Sequence, residues 1–162
     1  MASPKKISAK QALEKAQNLC AQKEKCIEDI KQKFYQWGIN KTDVEPLITK
    51  LIEDKFIDEE RFAKAFVKEK FRFNKWGKVK IEYALKQKNI PENFIQKGMN
   101  EIPLYEYQQV LEKELIKKLN SLKDTDEYTI KSKLVRFAVS RGFENGKVFD
   151  MVNSVVNKRK DN

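Results

Sequence analysis

Apolar residues recur every three or four positions along most of this 162-residue chain, which is the spacing of one face of an α-helix. The pattern predicts a first helix from a cap at Ser8 to about Gln22 and a second from about Lys25 to Trp37. Further segments with the same spacing continue to the C-terminus. The chain has only five glycines and four prolines, so its composition favours helices over a sheet.

The residues at which the helices end form a second pattern. Gly38, Asn89 and Gly142 each follow a helical segment and precede an apolar residue, with 51 residues from 38 to 89 and 53 from 89 to 142. Glycine and asparagine tolerate the left-handed backbone that ends a helix. Another predicted helix follows each of these positions. The recurrence indicates one three-helix unit present three times. The alternative is a coincidence among similar amphipathic helices.

The predicted fold class is therefore all-α, with three tandem three-helix repeats forming an elongated, curved helical array. Repeat 1 covers residues 1–57 and includes a loose basic N-terminus with Lys5 and Lys6. Repeat 2 covers residues 58–103. Repeat 3 covers residues 104–162 and ends in a frayed basic tail.

The segment 56–90 reads as two helices joined by a short break. Asp58 is placed to cap the first helix, because its side-chain oxygen can accept a hydrogen bond from a main-chain amide of the first turn. Arg61 is expected either to pair with Asp58 or to reach a partner molecule. The aromatic residues expected in the core of this segment are Phe62, Phe66 and Phe73.

The second helix of this segment, over residues 77–88, is apolar on two sides. Gly77 lies on one side, where its missing side chain suggests a close approach of another helix. Trp76, Val79 and Tyr83 lie on the other side. We expect this second stripe to pack between repeats. The alternative is that Trp76 and Tyr83 are aromatic anchors of a recognition surface with a basic rim.

Positive charge is concentrated in the middle of the chain. The whole sequence has 34 lysines and arginines against 24 aspartates and glutamates, a net charge of +10, and residues 61–88 hold ten of the basic residues and two of the acidic ones. Solvated helix faces usually mix the two signs, so we favour the binding of an acidic partner over a surface without a role. Contact with nucleic-acid phosphate would be strongly salt-dependent.

Residue types that most enzymes need are scarce. The chain has no histidine, which removes Ser-His, Cys-His and most metal-ligand chemistry. It has no glycine-rich phosphate-binding motif. Cys20 and Cys26 lack CxxC spacing and are interpreted as reduced thiols. No apolar run approaches the length of a membrane span. We predict a cytoplasmic, non-enzymatic protein with no cofactor, metal or membrane contact.

Two motifs in this region resemble those of a known family. FIDEERFA at residues 56–63 resembles the "G-hydrophobic-I-D-D-x-R-F-A" signature of the RecX family, small bacterial regulators of the RecA recombinase. The run that resembles the family's basic-Gly-x3-Ile-x3-Leu-x3-Gly-Ile motif is Arg72, Lys75, Gly77, Ile81, Leu85 and Asn89-Ile90. Lys55 and Asn89 stand where the family usually has glycine.

The resemblance implies a modulator of RecA that lies in the groove of the RecA–DNA filament, limits filament growth, and lowers strand exchange and ATP hydrolysis. The implied partners are RecA and the RecA–DNA filament, with the DNA phosphate backbone as a further candidate, and we expect a monomer. The alternatives are a helical module that binds nucleic acid directly and an adaptor that binds only protein. From charge and periodicity, the expected binding residues are Lys68, Arg72, Lys75, Trp76, Lys78, Lys80, Tyr83 and Lys86.

Overall fold

The computed structural model describes residues 7–161, and all of the regular secondary structure within them is α-helical. This confirms the predicted all-α class. The predicted basic N-terminus, residues 1–6, lies outside the described residues. The helices are α1 (Ala9–Gln22), α2 (Ile27–Gln36), α3 (Lys41–Glu53), α4 (Glu59–Arg72), α5 (Lys78–Gln87), α6 (Glu92–Met99), α7 (Leu104–Ser121), α8 (Glu127–Ser140) and α9 (Asn145–Asp161).

Side chains cap several helices, and the caps at Ser8 and Asp58 confirm the prediction. The Gln11 amide donates to Ser8 Oγ at 3.1 Å, and the Ser8 amide donates to Gln11 Oε1 at 3.0 Å. Asp58 accepts from the Arg61 amide at 3.0 Å, and Asp126 accepts from the Thr129 amide at 2.9 Å. Each cap satisfies an amide that has no partner inside its own helix.

The three predicted helix stops share one backbone geometry. The φ angle is +75° at Gly38, +59° at Asn89 and +95° at Gly142, so all three are left-handed. In each case the next residue donates a hydrogen bond back across the turn: Ile39 to the Phe34 carbonyl, Ile90 to Leu85, and Phe143 to Ala138. This is the Schellman arrangement, which ends a helix and reverses the chain.

Lys55 adopts the same left-handed conformation, with φ of +63°. The Lys55 amide donates to the Ile52 carbonyl and the Phe56 amide to the Leu51 carbonyl, so α3 ends as the other helices do. Lys55 and Asn89 therefore keep the backbone shape of the glycines that the RecX pattern has at these positions. A lysine in this conformation costs about 1 kcal/mol more than a glycine.

The chain forms two compact units. The first contains residues 7–66 and Leu85–Lys97, and the second contains Val67–Ala84 and residues 98–161, so α4 and α5 each contribute residues to both. Helices α1, α2 and α3 pack on one another, as do α7, α8 and α9. The boundaries 1–57, 58–103 and 104–162 of the three repeats stay a prediction.

In the first unit, Arg61 has a structural role. Its guanidinium pairs with Glu24 at 2.5 Å and donates to the carbonyls of Lys55 and Phe56 at 3.0 and 3.3 Å. Within residues 7–161, the Asp58 carboxylate accepts from the main-chain amide of Arg61 and forms no ion pair with its guanidinium. Of the two alternatives for Arg61, a side-chain pair with Asp58 is therefore wrong, because the guanidinium is occupied by the end of α3 and by Glu24.

Cys20 and Cys26 are free thiols in this unit. Burial raises the pKa of the Cys26 thiol to about 12, and burial, reinforced by the nearby Glu24 carboxylate, raises the pKa of Cys20 as well. Both thiols are therefore protonated and unreactive at neutral pH.

Two predictions about helix ends are wrong. Phe73 is 82% exposed, because α4 ends at Arg72 and the core residues of the second unit at this end of the helix are Val67 and Phe71. Phe62 is buried as predicted. The basic C-terminal tail is not frayed: α9 continues through it to Asp161.

None of the helices in residues 7–161 is both long and apolar enough to cross a membrane.

Candidate binding surface

The link between α4 and α5 is a tight reversal in the second unit. Lys75 adopts a left-handed conformation with φ of +58°, and its ammonium donates to the Arg72 carbonyl at 2.6 Å. The Trp76 amide donates to the Lys70 carbonyl at 3.0 Å. These contacts close the end of α4 and hold Lys75 and Trp76 immediately before α5.

The start of α5 lies against the end of α8. The Gly77 amide donates to the Arg141 carbonyl at 2.7 Å, and the Val79 amide donates to the Gly142 carbonyl at 2.9 Å. A methyl group on Gly77 would lie 2.3 Å from main-chain atoms of Gly142 and Phe143. The close approach predicted from Gly77 is therefore present, and its partner is the left-handed stop of α8.

Trp76 lies among lysines. The ammonium of Lys80 is 4.5 Å from the Trp76 ring centroid and that of Lys70 is 5.0 Å away, both within the range of a cation–π contact. The indole ring is half-buried. Trp76 therefore organises positive charge at the start of α5.

Tyr107 is a buried residue of α7 that contacts the start of α5. Its side chain is fully buried, its hydroxyl accepts from the Lys78 amide at 2.9 Å, and the same hydroxyl donates to Glu144. Its ring packs on Phe71 and Phe143, with centroids 5.6 and 5.3 Å away. Burial and the bond to Glu144 raise the pKa of Tyr107 far above its usual range, so the hydroxyl remains a neutral donor. The Lys78 ammonium lies 4.9 Å from the Tyr107 centroid.

The second apolar stripe of α5 faces solvent. Val79 is 54% exposed and Tyr83 is 67% exposed. The prediction that this stripe packs between repeats is therefore wrong. The geometry meets the condition of the alternative, an outward aromatic residue beside lysines. With Phe73 also exposed, this part of the second unit presents large apolar side chains as well as charge.

The remaining predicted binding residues have acidic neighbours. Lys68 pairs with Glu101 at 3.9 Å, and Arg72 pairs with Glu106 at 3.2 Å. Lys86 belongs to the first unit and pairs with Glu92 at 3.9 Å. Seven of the predicted residues thus lie in the second unit, and Lys86 lies in the first. The acidic partners were not predicted, since they lie outside the helices that carry these basic residues.

We name Lys75, Trp76, Lys78, Lys80 and Tyr83 the α5 surface. Within residues 7–161, none of its three lysines forms an ion pair with an acidic side chain. They contact two aromatic rings and a main-chain carbonyl instead. No group of three or more potential metal ligands occurs in the described part of the chain. The arrangement suits noncovalent binding of an anionic surface that also offers apolar contacts.

The fold and this surface define a class of protein: tandem three-helix repeats with an exposed patch of lysines and aromatic residues. Family models match both of the later repeats, the model described as RecX, second three-helix domain, at residues 58–99 and the model described as RecX, third three-helix domain, at residues 105–152. Among similar curated proteins is regulatory protein RecX of Chlorobium limicola, 31% identical over 112 residues, which cover 69% of each chain. The chain belongs to the RecX family.

Two further relatives are longer. Regulatory protein RecX of Clostridium tetani is 34% identical over 128 residues, which cover 78% of this chain and 56% of that protein. The protein of the same name from Clostridium acetobutylicum is 28% identical over 131 residues, covering 78% of this chain and 60% of the relative. The chain therefore spans less than two thirds of these clostridial relatives.

Solved structures confirm the fold. A crystal structure of RecX from Lactobacillus salivarius matches with a TM-score of 0.80 at 15% identity, covering 91% of this chain and 96% of that one. Another, of regulatory protein RecX, matches with a TM-score of 0.81 at 20% identity, covering 90% of this chain and 71% of that one. With the family models, this confirms the tandem helical repeats.

Proposed function

We propose that this chain is a cytoplasmic, non-enzymatic regulator of the RecA recombinase. It binds RecA and the RecA–DNA filament as a monomer, and it lowers the filament's ATP hydrolysis and strand exchange in DNA repair and recombination. Membership of the RecX family supports the regulatory role. The observation that carries the binding claim is the α5 surface, where Lys75, Lys78 and Lys80 have no acidic partner within residues 7–161.

The surroundings of these lysines favour binding over solubility alone. An ammonium that already pairs with a carboxylate must give up that pair before it can bind an anion elsewhere, which reduces the net gain. An ammonium above an aromatic ring keeps its full charge and is held in place by the ring. The α5 surface can therefore contact acidic protein groups and DNA phosphate, with Tyr83 adding apolar contact.

DNA-dependent ATP hydrolysis by the host's RecA tests the proposal. One arm adds this protein to RecA with fixed single-stranded DNA, and a second arm adds it to preformed filaments in excess DNA. Inhibition at protein concentrations well below that of RecA supports action on the filament. Inhibition only at concentrations that cover the DNA would replace the proposal with simple competition for DNA. Absence of inhibition by folded protein in both arms would refute it.

Charge-reversal variants test the surface. Lys75→Glu, Lys78→Glu and Lys80→Glu combined should weaken inhibition by roughly ten- to hundredfold, since each charge contributes up to about 1 kcal/mol. The matched control reverses Lys10, Lys113 and Lys117, which are exposed on α1 and α7, and so changes the net charge equally. Circular dichroism checks the helical content of both variants. Equal inhibition by the two would remove the α5 surface from the binding face.

A further inference from the structure

A groove in the second unit runs between α8 and α9, and none of its lining residues belongs to the α5 surface. The groove is open to solvent and has a volume of about 650 Å³. The apolar residues that line it are Tyr128, Val135 and Val139 of α8 with Phe149 and Val152 of α9. The α8 residues recur at intervals of seven and four, so they share one helix face. The groove is therefore a continuous apolar strip between two helices.

Several of these apolar side chains are unusually exposed. Tyr128 is 80% exposed, Phe149 is 53% exposed and Val139 is 39% exposed, whereas Leu134 and Val148 of the same two helices are fully buried. From Tyr128 to Val139, α8 advances about 16 Å, which is the length of a three-turn helix. The dimensions fit an added helix lying in the groove.

The charge of the groove is one-sided. Lys131 and Arg136 line it, and no aspartate or glutamate does. Lys131 pairs with Glu127 at 3.1 Å. Arg136 is exposed and makes no hydrogen bond or ion pair with any other residue of the part of the chain that the structure describes. A guanidinium with all of its donors open favours a carboxylate, which it can bind through two parallel hydrogen bonds.

We propose that this groove binds an acidic amphipathic helix of a partner protein. The apolar face of that helix covers Val135, Val139 and Phe149, and one of its carboxylates pairs with Arg136. A nucleic-acid strand fits less well, because a mostly apolar groove with two cations leaves most of its phosphates without a partner. This site shares no residue with the α5 surface, and its test needs no RecA.

The test uses the full chain, labelled with nitrogen-15, and a synthetic helical peptide of about 15 residues, long enough to span the groove. The peptide has leucines at positions i, i+4 and i+7, glutamates beside them, and a side-chain staple. We expect saturable binding with a Kd of roughly 10 to 300 µM. Amide shifts should change around Ser132, Val135 and Phe149, which lie on the groove, and not at Lys78 or Lys80.

Two variants and one matched control sharpen the result. Val139→Lys and Arg136→Glu should each weaken peptide binding about tenfold, equal to about 1.4 kcal/mol. Ile116→Lys on α7 should not, although Ile116 and Val139 are equally exposed at 39%. A peptide with lysines in place of the glutamates should bind at least tenfold more weakly than the acidic one.

Four outcomes would overturn the proposal. The first is no binding of the acidic peptide at roughly millimolar concentration. The second is binding of the basic peptide as tight as that of the acidic one. The third is binding by both groove variants as tight as by the natural sequence, and the fourth is displacement of the peptide by a single-stranded oligonucleotide. The last would assign the groove to nucleic acid. The amide spectrum of each variant shows whether the variant is folded, so that unfolding is not mistaken for a loss of peptide binding.

Discussion

The basic residues at the end of α4 and those beside the start of α5 are neighbours in sequence but have different surroundings. Lys68 and Arg72 each face a carboxylate, on Glu101 and Glu106 respectively. Each of these basic residues therefore already has a carboxylate partner within the same molecule. Exposed ion pairs of this kind contribute little to stability.

The lysines at the start of α5 contact groups that carry no net charge. Lys78 and Lys80 lie above the rings of Tyr107 and Trp76, and Lys75 binds a main-chain carbonyl. Aromatic rings and carbonyls orient a cation but carry no net charge, so the positive charge persists at the surface. A count of lysines and arginines treats the two groups as one block. What lies against each side chain decides which of them can attract an acidic partner.

We expect the largest effect from Gly77→Ala, which should destabilise the protein and displace the lysines of the α5 surface. The added methyl would lie 2.3 Å from the main chain at Gly142, and the two hydrogen bonds that join α5 to α8 would be lost. We expect the free energy of unfolding to fall by roughly 3 to 5 kcal/mol, measured by urea denaturation. The lysines above the rings would move, whereas the Arg72–Glu106 pair would persist.

Gly146→Ala is the control for that substitution. A methyl at Gly146 meets no atom within 4 Å, and the residue lies in the first turn of α9. Alanine forms helix better than glycine, so this variant should gain up to about 1 kcal/mol. Equal losses at the two glycines would mean that glycine content, and not the contact of α5 with α8, controls stability.

Tyr107→Phe should have the next largest effect. The ring beneath the Lys78 ammonium stays, but the Lys78 amide and Glu144 each lose their hydroxyl partner. Leaving these partly buried groups unsatisfied should cost about 1 to 3 kcal/mol. Thermal unfolding at neutral pH measures the loss. A variant as stable as the natural sequence would show that water replaces the hydroxyl and that Tyr107 acts only through its ring.

Acid should weaken the ion pairs of the basic residues and leave the cation–π contacts of the α5 surface unchanged. In the first unit, Lys88 pairs with Asp29 at 2.7 Å. Burial opposes ionisation of Asp29, but its hydrogen bonds with Lys88 and Cys26 outweigh burial and lower its pKa. A lowered folded-state pKa gives stability that is present above the unfolded value and lost as pH falls through the folded value, so the loss lies roughly between pH 5 and 2.

Asp29→Asn isolates this charge, because an amide oxygen can still accept from the Cys26 amide that Asp29 binds at 3.3 Å. The variant should be about 1 kcal/mol less stable than the natural sequence at pH 7 and nearly equal to it at pH 2, measured by urea denaturation across that range. A constant difference at every pH would show that the carboxylate charge is not the source.

The smallest expected effect is a difference between substitutions at Lys80 and at Lys68. Each of Lys80→Gln and Lys68→Gln should change the free energy of unfolding by less than about 1 kcal/mol. On a cation-exchange column, Lys80→Gln should elute at lower salt than Lys68→Gln, because Lys68 already has a carboxylate partner and Lys80 does not. Equal elution, or the reverse order, would argue against the distinction between the two groups.

Local signals in the sequence predicted much of this structure. The left-handed stops at Gly38, Asn89 and Gly142 and the caps at Ser8 and Asp58 were found from residue type and spacing, because each closes within five residues along the chain. Phe73 shows the limit of periodicity. It continued the apolar stripe, but the helix ended one residue earlier and left it in solvent.

Long-range contacts could not be predicted in this way. Gly77 indicated a close approach without indicating that Gly142 would be the partner. Glu106, which pairs with Arg72, lies 34 residues further along the chain and carries no sequence signal of its role. The direction of the outer stripe of α5 likewise depended on which neighbours pack nearby. The candidate surface was thus predicted as a set of residues, and its division into paired and unpaired cations required the fold.

The junction of α8 with α5 also has an electrostatic consequence. Lysines in the first turn of a helix are normally unfavourable, because the helix dipole places about half a positive charge there. At this junction the carbonyls of Arg141 and Gly142, which directly follow α8, accept hydrogen bonds from the amides of Gly77 and Val79 and bring the negative ends of their own dipoles to the same place. Main-chain dipoles therefore counteract the repulsion that acidic side chains would otherwise have to offset. The chain can concentrate cations at this end of α5 without adding a carboxylate that would compete with an anionic partner.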